Sequence, residues 1–278
     1  MYIFIIYRIF EINGSRSLPF SSFYSQFLFT FQKFSETKLS IIMMQLYWHP
    51  IAPPCRSVYL GLKLMKCEFE EHLIDVVAGE AKSEAYLKIN PSGQIPFLVD
   101  GDVRLNESRA ILIYLAESTK SDLYPANLKI RAGINQALFW DLEFWPKVRD
   151  VIYPALFEKD EALMMKALPG TSKYIAEFEA MISKERWACG EKITLADISI
   201  QGTISGLKIL SKFGKSWAVE LGVKQMKGIM GWHGNMKVLP GWMEFFEGQV
   251  HVALGIPVGY SSENSSERNA EKELKMTK

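Results

Sequence analysis

The chain has 278 residues, 48% of them hydrophobic and 23% charged, with a net charge of +1. This is enough apolar material for one large or two small cored domains, and the near-neutral balance excludes charge-driven binding to nucleic acid or an anionic membrane. Three widely spaced cysteines (Cys55, Cys67, Cys189) and four histidines without paired Cys/His spacing argue against a disulfide framework and a zinc site, so reduced thiols in a cytoplasmic compartment are expected.

Residues 1–43 read differently from the rest. The opening MYIFIIYRIF is apolar but too short to span a bilayer, and Arg8 interrupts it. This extension is expected to be poorly ordered, or to lie upstream of a true start at Met43 or Met44. Its acid-poor composition also allows a transit peptide.

A compact α/β domain is expected over 44–121. Gln45-Leu46-Tyr47-Trp48 reads as a short strand, His49–Pro54 as a loop, and the proline before Cys55 suits a helix's first turn. Val58, Tyr59, Leu62 and Met65 share one helical face. A second strand is expected over 68–77, ended by Gly79, and a short amphipathic helix over 83–89. The stretch 90–110, NPSGQIPFLVDGDVRLNESRA, concentrates the local signals. Pro96 enters the strand Phe97-Leu98-Val99, a place for a cis bond. Asp100-Gly101 suggests a two-residue hairpin with positive φ at both turn positions. Glu107-Ser108 opens an apolar-periodic helix, so a turn, a strand edge and a helix N-terminus lie side by side and suit a small zwitterion or anion.

Residues 122–128 carry turn residues and a proline and read as a linker. From 129 to 257 the pattern is helical: Ile134, Leu138, Trp145 and Val148 mark one long helix with a kink expected at Pro146, and Tyr174, Ile175, Phe178 and Ile182 another. Ile193-Thr194-Leu-Ala-Asp197 is a capping-box start, which makes Asp197 a cap ahead of a catalytic carboxylate. Pro240-Gly241-Trp242 opens a last short helix with Phe245 and Phe246 inward. The polar, aromatic-free stretch 258–278 is expected to be disordered.

Taken together, APPCRSV at 52–58, the block 90–115, ITLADISI at 193–200 and PGWMEFFEG at 240–248 resemble the cytosolic glutathione transferases. The resemblance spans about residues 45–257. It is closest to the delta, epsilon and theta classes, with the Gly93-Gln94 pair nearer the phi class. It implies an α+β chain: a thioredoxin-like N-terminal domain followed by an all-α C-terminal domain, acting as a homodimer. It also implies glutathione as co-substrate without a metal, and an apolar electrophile as second substrate. Carried over position by position, it implies that Ile95, before Pro96, pairs through its backbone with the cysteine of glutathione. Glu107 would take the γ-glutamyl ammonium and Ser108 its carboxylate, with Arg109 supporting that end or lying on the surface. Lys82 and Gln94 match residues that hold the glycine carboxylate, although Lys82 also reads as a solvated lysine.

One departure stands out. Where serine-class relatives carry the hydroxyl that donates to the glutathione thiolate, this chain has Ala52. Two histidines common in the delta class are replaced by Ala81 and Gly93. Cys55 lies close by but reads as a packed thiol at a helix start, and Tyr47, His49 and Ser57 are polar neighbours that do not align with the lost hydroxyl. A hydrogen bond to a charged group is worth about 1.5–3 kcal/mol, roughly one to two pKa units on the thiol. The remaining thiolate is more nucleophilic, so the net loss is only about several-fold. The implied function is conjugation of reduced glutathione to apolar electrophiles, slowed by Ala52. The alternatives are glutathione-dependent reduction of organic hydroperoxides and a non-catalytic carrier of the same fold.

Overall fold

The structure, a computed structural model, describes residues 43–242, 245 and 246. The expected extension over 1–43, Met43 apart, and the expected tail over 258–278 lie outside the described residues. The elements below belong to the unit that begins at Met44.

Four strands form the N-terminal sheet: β1 (Met44–Trp48), β2 (Phe69–Leu73), β3 (Phe97–Asp100) and β4 (Val103–Leu105). Their order is β2-β1-β3-β4, with β1 and β2 parallel and the other pairs antiparallel. Helices α1 (Pro53–Leu64), α2 (Glu84–Ile89) and α3 (Ser108–Ser118) complete this thioredoxin-like half. Because side chains alternate along a strand, Leu46 and Trp48 enter the main core with α1 and α3. Tyr47 enters a smaller cluster with Ile74, Tyr86, Phe97 and Val99 on the opposite face.

Two local expectations are corrected. The strand expected over 68–77 stops at Leu73. The Asp75 carboxylate accepts the N–H groups of Val77 and Ala78, at 3.0 and 2.9 Å, and turns the chain before Val76 and Val77 can pair. The hairpin turn falls one residue later than expected, on Gly101-Asp102, since Asp100 pairs with Val103. Only Gly101 has positive φ (59°), the pattern of a II′ turn rather than I′. Asp100 is free to accept from the Tyr114 hydroxyl at 2.7 Å instead.

The second half is helical. Helix α4 (Leu128–Tyr153) runs unbroken through Pro146, capped by the Asn127 side chain on the N–H groups of Lys129 and Ile130. A π-helical turn (Pro154–Glu158) leads into α5 (Glu161–Ala167), α6 (Pro169–Ile182) and α7 (Leu195–Ser205). After a 3-10 stretch (Gly206–Phe213) come α8 (Trp217–Glu220), a 3-10 turn (Val223–Gln225) and α9 (Lys227–Lys237). The capping box at Thr194 is present, and Asp197 accepts from the N–H groups of Thr194 and Ala188 and from Trp232 Nε1, at 2.8, 2.7 and 2.9 Å. A carboxylate so engaged organises the helix start. Trp242, Phe245 and Phe246 are buried, and Phe245 stacks on Tyr59 of α1 with centroids 4.6 Å apart.

The halves meet where α1 packs on α7. A Cβ on Gly202 would sit 1.8 Å from Ser57 Oγ and 3.0 Å from the Pro53 carbonyl, so only glycine permits this approach. Arg56, 1% exposed, ties the same seam. It donates to the carbonyls of Pro50 (2.6 Å) and Ile51 (3.0 Å) on its own side and to the carbonyl (2.8 Å) and hydroxyl (3.0 Å) of Ser205 on the other.

Candidate functional site

Strand register brings the predicted residues to one edge of the sheet. Tyr47 lies opposite Phe97, Leu98 opposite Leu105, and Trp48 beside Leu73. The loop after β1 (Ala52), the entry to β3 (Ile95, Pro96), the exit from β4 (Glu107, Ser108) and the connection after β2 (Lys82) therefore share that edge. Residues far apart in sequence converge because the strands all end or begin there.

The segment before β3 is rigidly held. Asn90, 1% exposed, donates through Nδ2 to the Gln94 carbonyl at 2.8 Å, and the Tyr86 hydroxyl donates to the same carbonyl at 2.7 Å. Gly93, at φ 58°, brings its carbonyl within 3.1 Å of Lys82 Nζ, where a Cβ would crowd that nitrogen at 2.9 Å. The Ile95–Pro96 bond is cis. Neither the N–H nor the carbonyl of Ile95 makes a hydrogen bond among the described residues. One residue thus presents a free donor and acceptor, as an unpaired strand edge does. The Gln94 side chain is exposed beside it.

Helix α3 starts without a side-chain cap: Glu107 is its N-cap residue, and its carboxylate makes no capping bond. The first N–H groups of such a helix have no intrahelical partner and attract an anion. Ser108 is buried at this start, and Arg109 Nη1 lies 3.5 Å from its hydroxyl. Arg109 is anchored in the second half. Its Nη2 meets Asp141 Oδ2 at 2.5 Å and the Asp141 carbonyl at 2.9 Å, while Ser199 also donates to Asp141 Oδ2 at 2.5 Å. Asp141 is fully buried, so Arg109 is a pinned ion-pair partner rather than a surface arginine.

The loop at Ala52 is different. The Ala52 N–H donates to the His49 carbonyl at 3.1 Å, and the Ala52 carbonyl takes the N–H groups of Cys55 and Arg56. Cys55 is 0% exposed, and burial pushes its thiol up to about 12 despite a backbone hydrogen bond from His49 and the nearby Arg56. It cannot act as a nucleophile there. Of the aromatic and sulfur side chains of the helical half, Phe144, Met164, Trp232 and Phe245 are core; Trp145 and Met165 pack partly against it, and Tyr153 is exposed. Among the described residues no group of three or more His, Cys, Asp or Glu side chains is placed to hold a metal ion.

Sequence reasoning missed Asp141, Ser199 and Arg56. Asp141 carried a readable signal, since it occupies the core spacing of Ile134, Leu138 and Val148, where a carboxylate must find a partner. Ser199 and Arg56 carried none, because Ser199 reaches Asp141 across 58 positions and Arg56 reaches Ser205 across 149.

Comparison with known proteins agrees with this architecture. Residues 44–117 match the family model "Glutathione S-transferase, N-terminal domain", and residues 135–216 match "Glutathione S-transferase, C-terminal domain". Glutathione S-transferase 2 of Anopheles gambiae is 33% identical over 167 residues, 59% of this chain and 79% of that protein. A delta-class glutathione transferase of Nilaparvata lugens is similar in structure, with a TM-score of 0.63 and 30% identity over 76% of this chain and 97% of its own. Poplar glutathione transferase F1 gives a TM-score of 0.64 with 26% identity over 74% and 97%. On the sheet, the helical half and these matches together, the chain belongs to the glutathione S-transferase family of enzymes.

Proposed function

We propose that this enzyme conjugates reduced glutathione to apolar electrophilic small molecules, more slowly than a relative with a hydroxyl at position 52 would. The observation that carries the reading is the open start of α3, where Ser108 and the uncapped N–H groups can take the γ-glutamyl carboxylate and the unengaged Glu107 its ammonium. The free backbone pair of Ile95, before Pro96, suits the cysteine moiety. Lys82 and Gln94 suit the glycine carboxylate, and Arg109 holds Ser108 in register. The domain boundary at 122–128, a homodimeric assembly, a cytoplasmic setting and a role in detoxification belong to the same proposal.

Retention on immobilised glutathione followed by a conjugation assay with chlorodinitrobenzene tests it. Retention with turnover supports the reading. Retention without turnover on this or other electrophiles favours a carrier, and turnover confined to organic hydroperoxides favours a peroxidase. Failure to bind glutathione at all would remove the proposal.

A further inference from the structure

From His49 to Arg56 every backbone N–H has a partner. The His49 N–H is directed at the Cys55 sulfur. The Ile51 N–H goes to His49 Nδ1 at 3.1 Å, and the Ala52 N–H to the His49 carbonyl at 3.1 Å. Pro50, Pro53 and Pro54 have no N–H. The N–H groups of Cys55 and Arg56 both go to the Ala52 carbonyl, at 3.0 and 3.2 Å. The Arg56 guanidinium is engaged by Pro50, Ile51 and Ser205, and the Cys55 thiol is sealed in the core. Of the neighbouring hydroxyls, Ser57 is buried and donates to the Ser199 carbonyl at 3.3 Å. Tyr47 donates to Gln45 Oε1 at 3.2 Å, and its ring stacks on His72 in the smaller core cluster.

Cys55 and Arg56 are buried, and His49 is left as the one side-chain donor of the segment that is not. Because His49 Nδ1 accepts from Ile51, a neutral ring carries its proton on Nε2. The side chain is half-buried, facing Asp75 and Glu80 on the connection after β2 and Arg56 on α1. Burial lowers its pKa most; the two carboxylates oppose that effect and Arg56 adds to it. The imidazole is therefore neutral at pH 7, an oriented donor on the same turn of chain as Ala52.

We propose that His49 donates its Nε2–H to the sulfur of bound glutathione, taking over the task of the hydroxyl that Ala52 lacks. No covalent step is involved: the thiol proton leaves to water, and the imidazole keeps its own while stabilising the thiolate. The assignment rests on the glutathione reading above.

Two substitutions separate a donor from a structural part. In His49→Asn the short amide can still accept the Ile51 N–H but cannot reach as far as Nε2. In His49→Gln the amide N–H lies near the position of Nε2. The bound-thiol pKa is read from thiolate absorbance in the binary complex, beside calorimetric glutathione affinity and the pH profile of conjugation. His49→Asn is expected to raise the bound-thiol pKa by about one to two units and, because the remaining thiolate is more nucleophilic, to lower conjugation below that pKa by about several-fold. Glutathione affinity should change far less, and His49→Gln should recover a large part of the shift. An unmoved thiol pKa in His49→Asn, or identical behaviour of the two variants, would overturn the assignment alone. Failure of the unaltered protein to bind glutathione would overturn the proposed function and the assignment with it.

Discussion

Two helix N-termini face the same edge of the sheet, and they are built in opposite ways. At α3 the first residues are Ser108, Arg109 and Ala110, all with N–H groups, and no side chain caps them. At α1 they are Pro53 and Pro54, which have none, and the next two N–H groups fold back on Ala52. Both ends carry the positive pole of a helix, but only α3 offers hydrogens to go with it. Attraction of an anion and direct contact with it are thus separable properties of a helix start. Under the proposed function, one end binds the peptide portion of glutathione, and the other must leave the sulfur to a side chain.

The largest expected effect comes from loosening the open end at its anchor. Arg109→Ala would strand the Asp141 carboxylate in the core, and losing one partner of a buried pair costs about 3–5 kcal/mol. Urea denaturation should show this as a midpoint shift, with glutathione affinity falling in parallel. A midpoint unchanged from the parent would mean that α3 is held by other contacts.

Removing only the hydroxyl there is gentler. Ser108→Ala should weaken glutathione binding by about tenfold or more, as expected for a hydrogen bond to a charged group, with little change in unfolding midpoint. Calorimetry that finds equal affinities would place the carboxylate elsewhere. At the closed end, Gly202→Ala forces a methyl against Ser57 and Pro53, and such overpacking costs about 1–3 kcal/mol. Adding Ser57→Ala should recover part of that loss, whereas no recovery would point to the Pro53 carbonyl as the obstacle.

The smallest effect is expected from giving the closed end a donor. Ala52→Ser should lower the bound-thiol pKa, so the gain in rate appears below the present thiol pKa and vanishes above it. A gain of about several-fold at most is expected, since ionisation and nucleophilicity partly offset each other. A pH–rate profile unchanged by Ala52→Ser would show that position 52 does not face the sulfur.

Much of this was legible in the chain. The turn and helix signals at 90–110, the strand entered by Pro96 and the capping box at Thr194 are local, and local chemistry writes itself into neighbouring residues. The limits of β2 and the hairpin were misplaced for equally local reasons, an Asx turn at Asp75 and a glycine that takes only the first turn position. Arg109's partner was not legible, because Asp141 and Ser199 lie 32 and 58 positions further along, each counted from the residue it bonds. Nor could the sequence show that the backbone N–H groups around Ala52 are already engaged and the Arg56 guanidinium drawn to Ser205, since both depend on how the loop folds.

Arg56 has a practical consequence as well. Its charge is out of reach of dissolved ions, held by carbonyls and a hydroxyl rather than by solvent. Mobile ions screen exposed charges such as that of Lys82 over about 8 Å at physiological ionic strength, and buried charges much less. Attraction that rests on exposed charge therefore fades in brine, whereas the hold of Arg56 on the seam, and with it the shape of the Ala52 loop, persists. On an immobilised-glutathione column, a salt wash should strip contaminants while leaving this protein in place, and free glutathione should be needed to elute it.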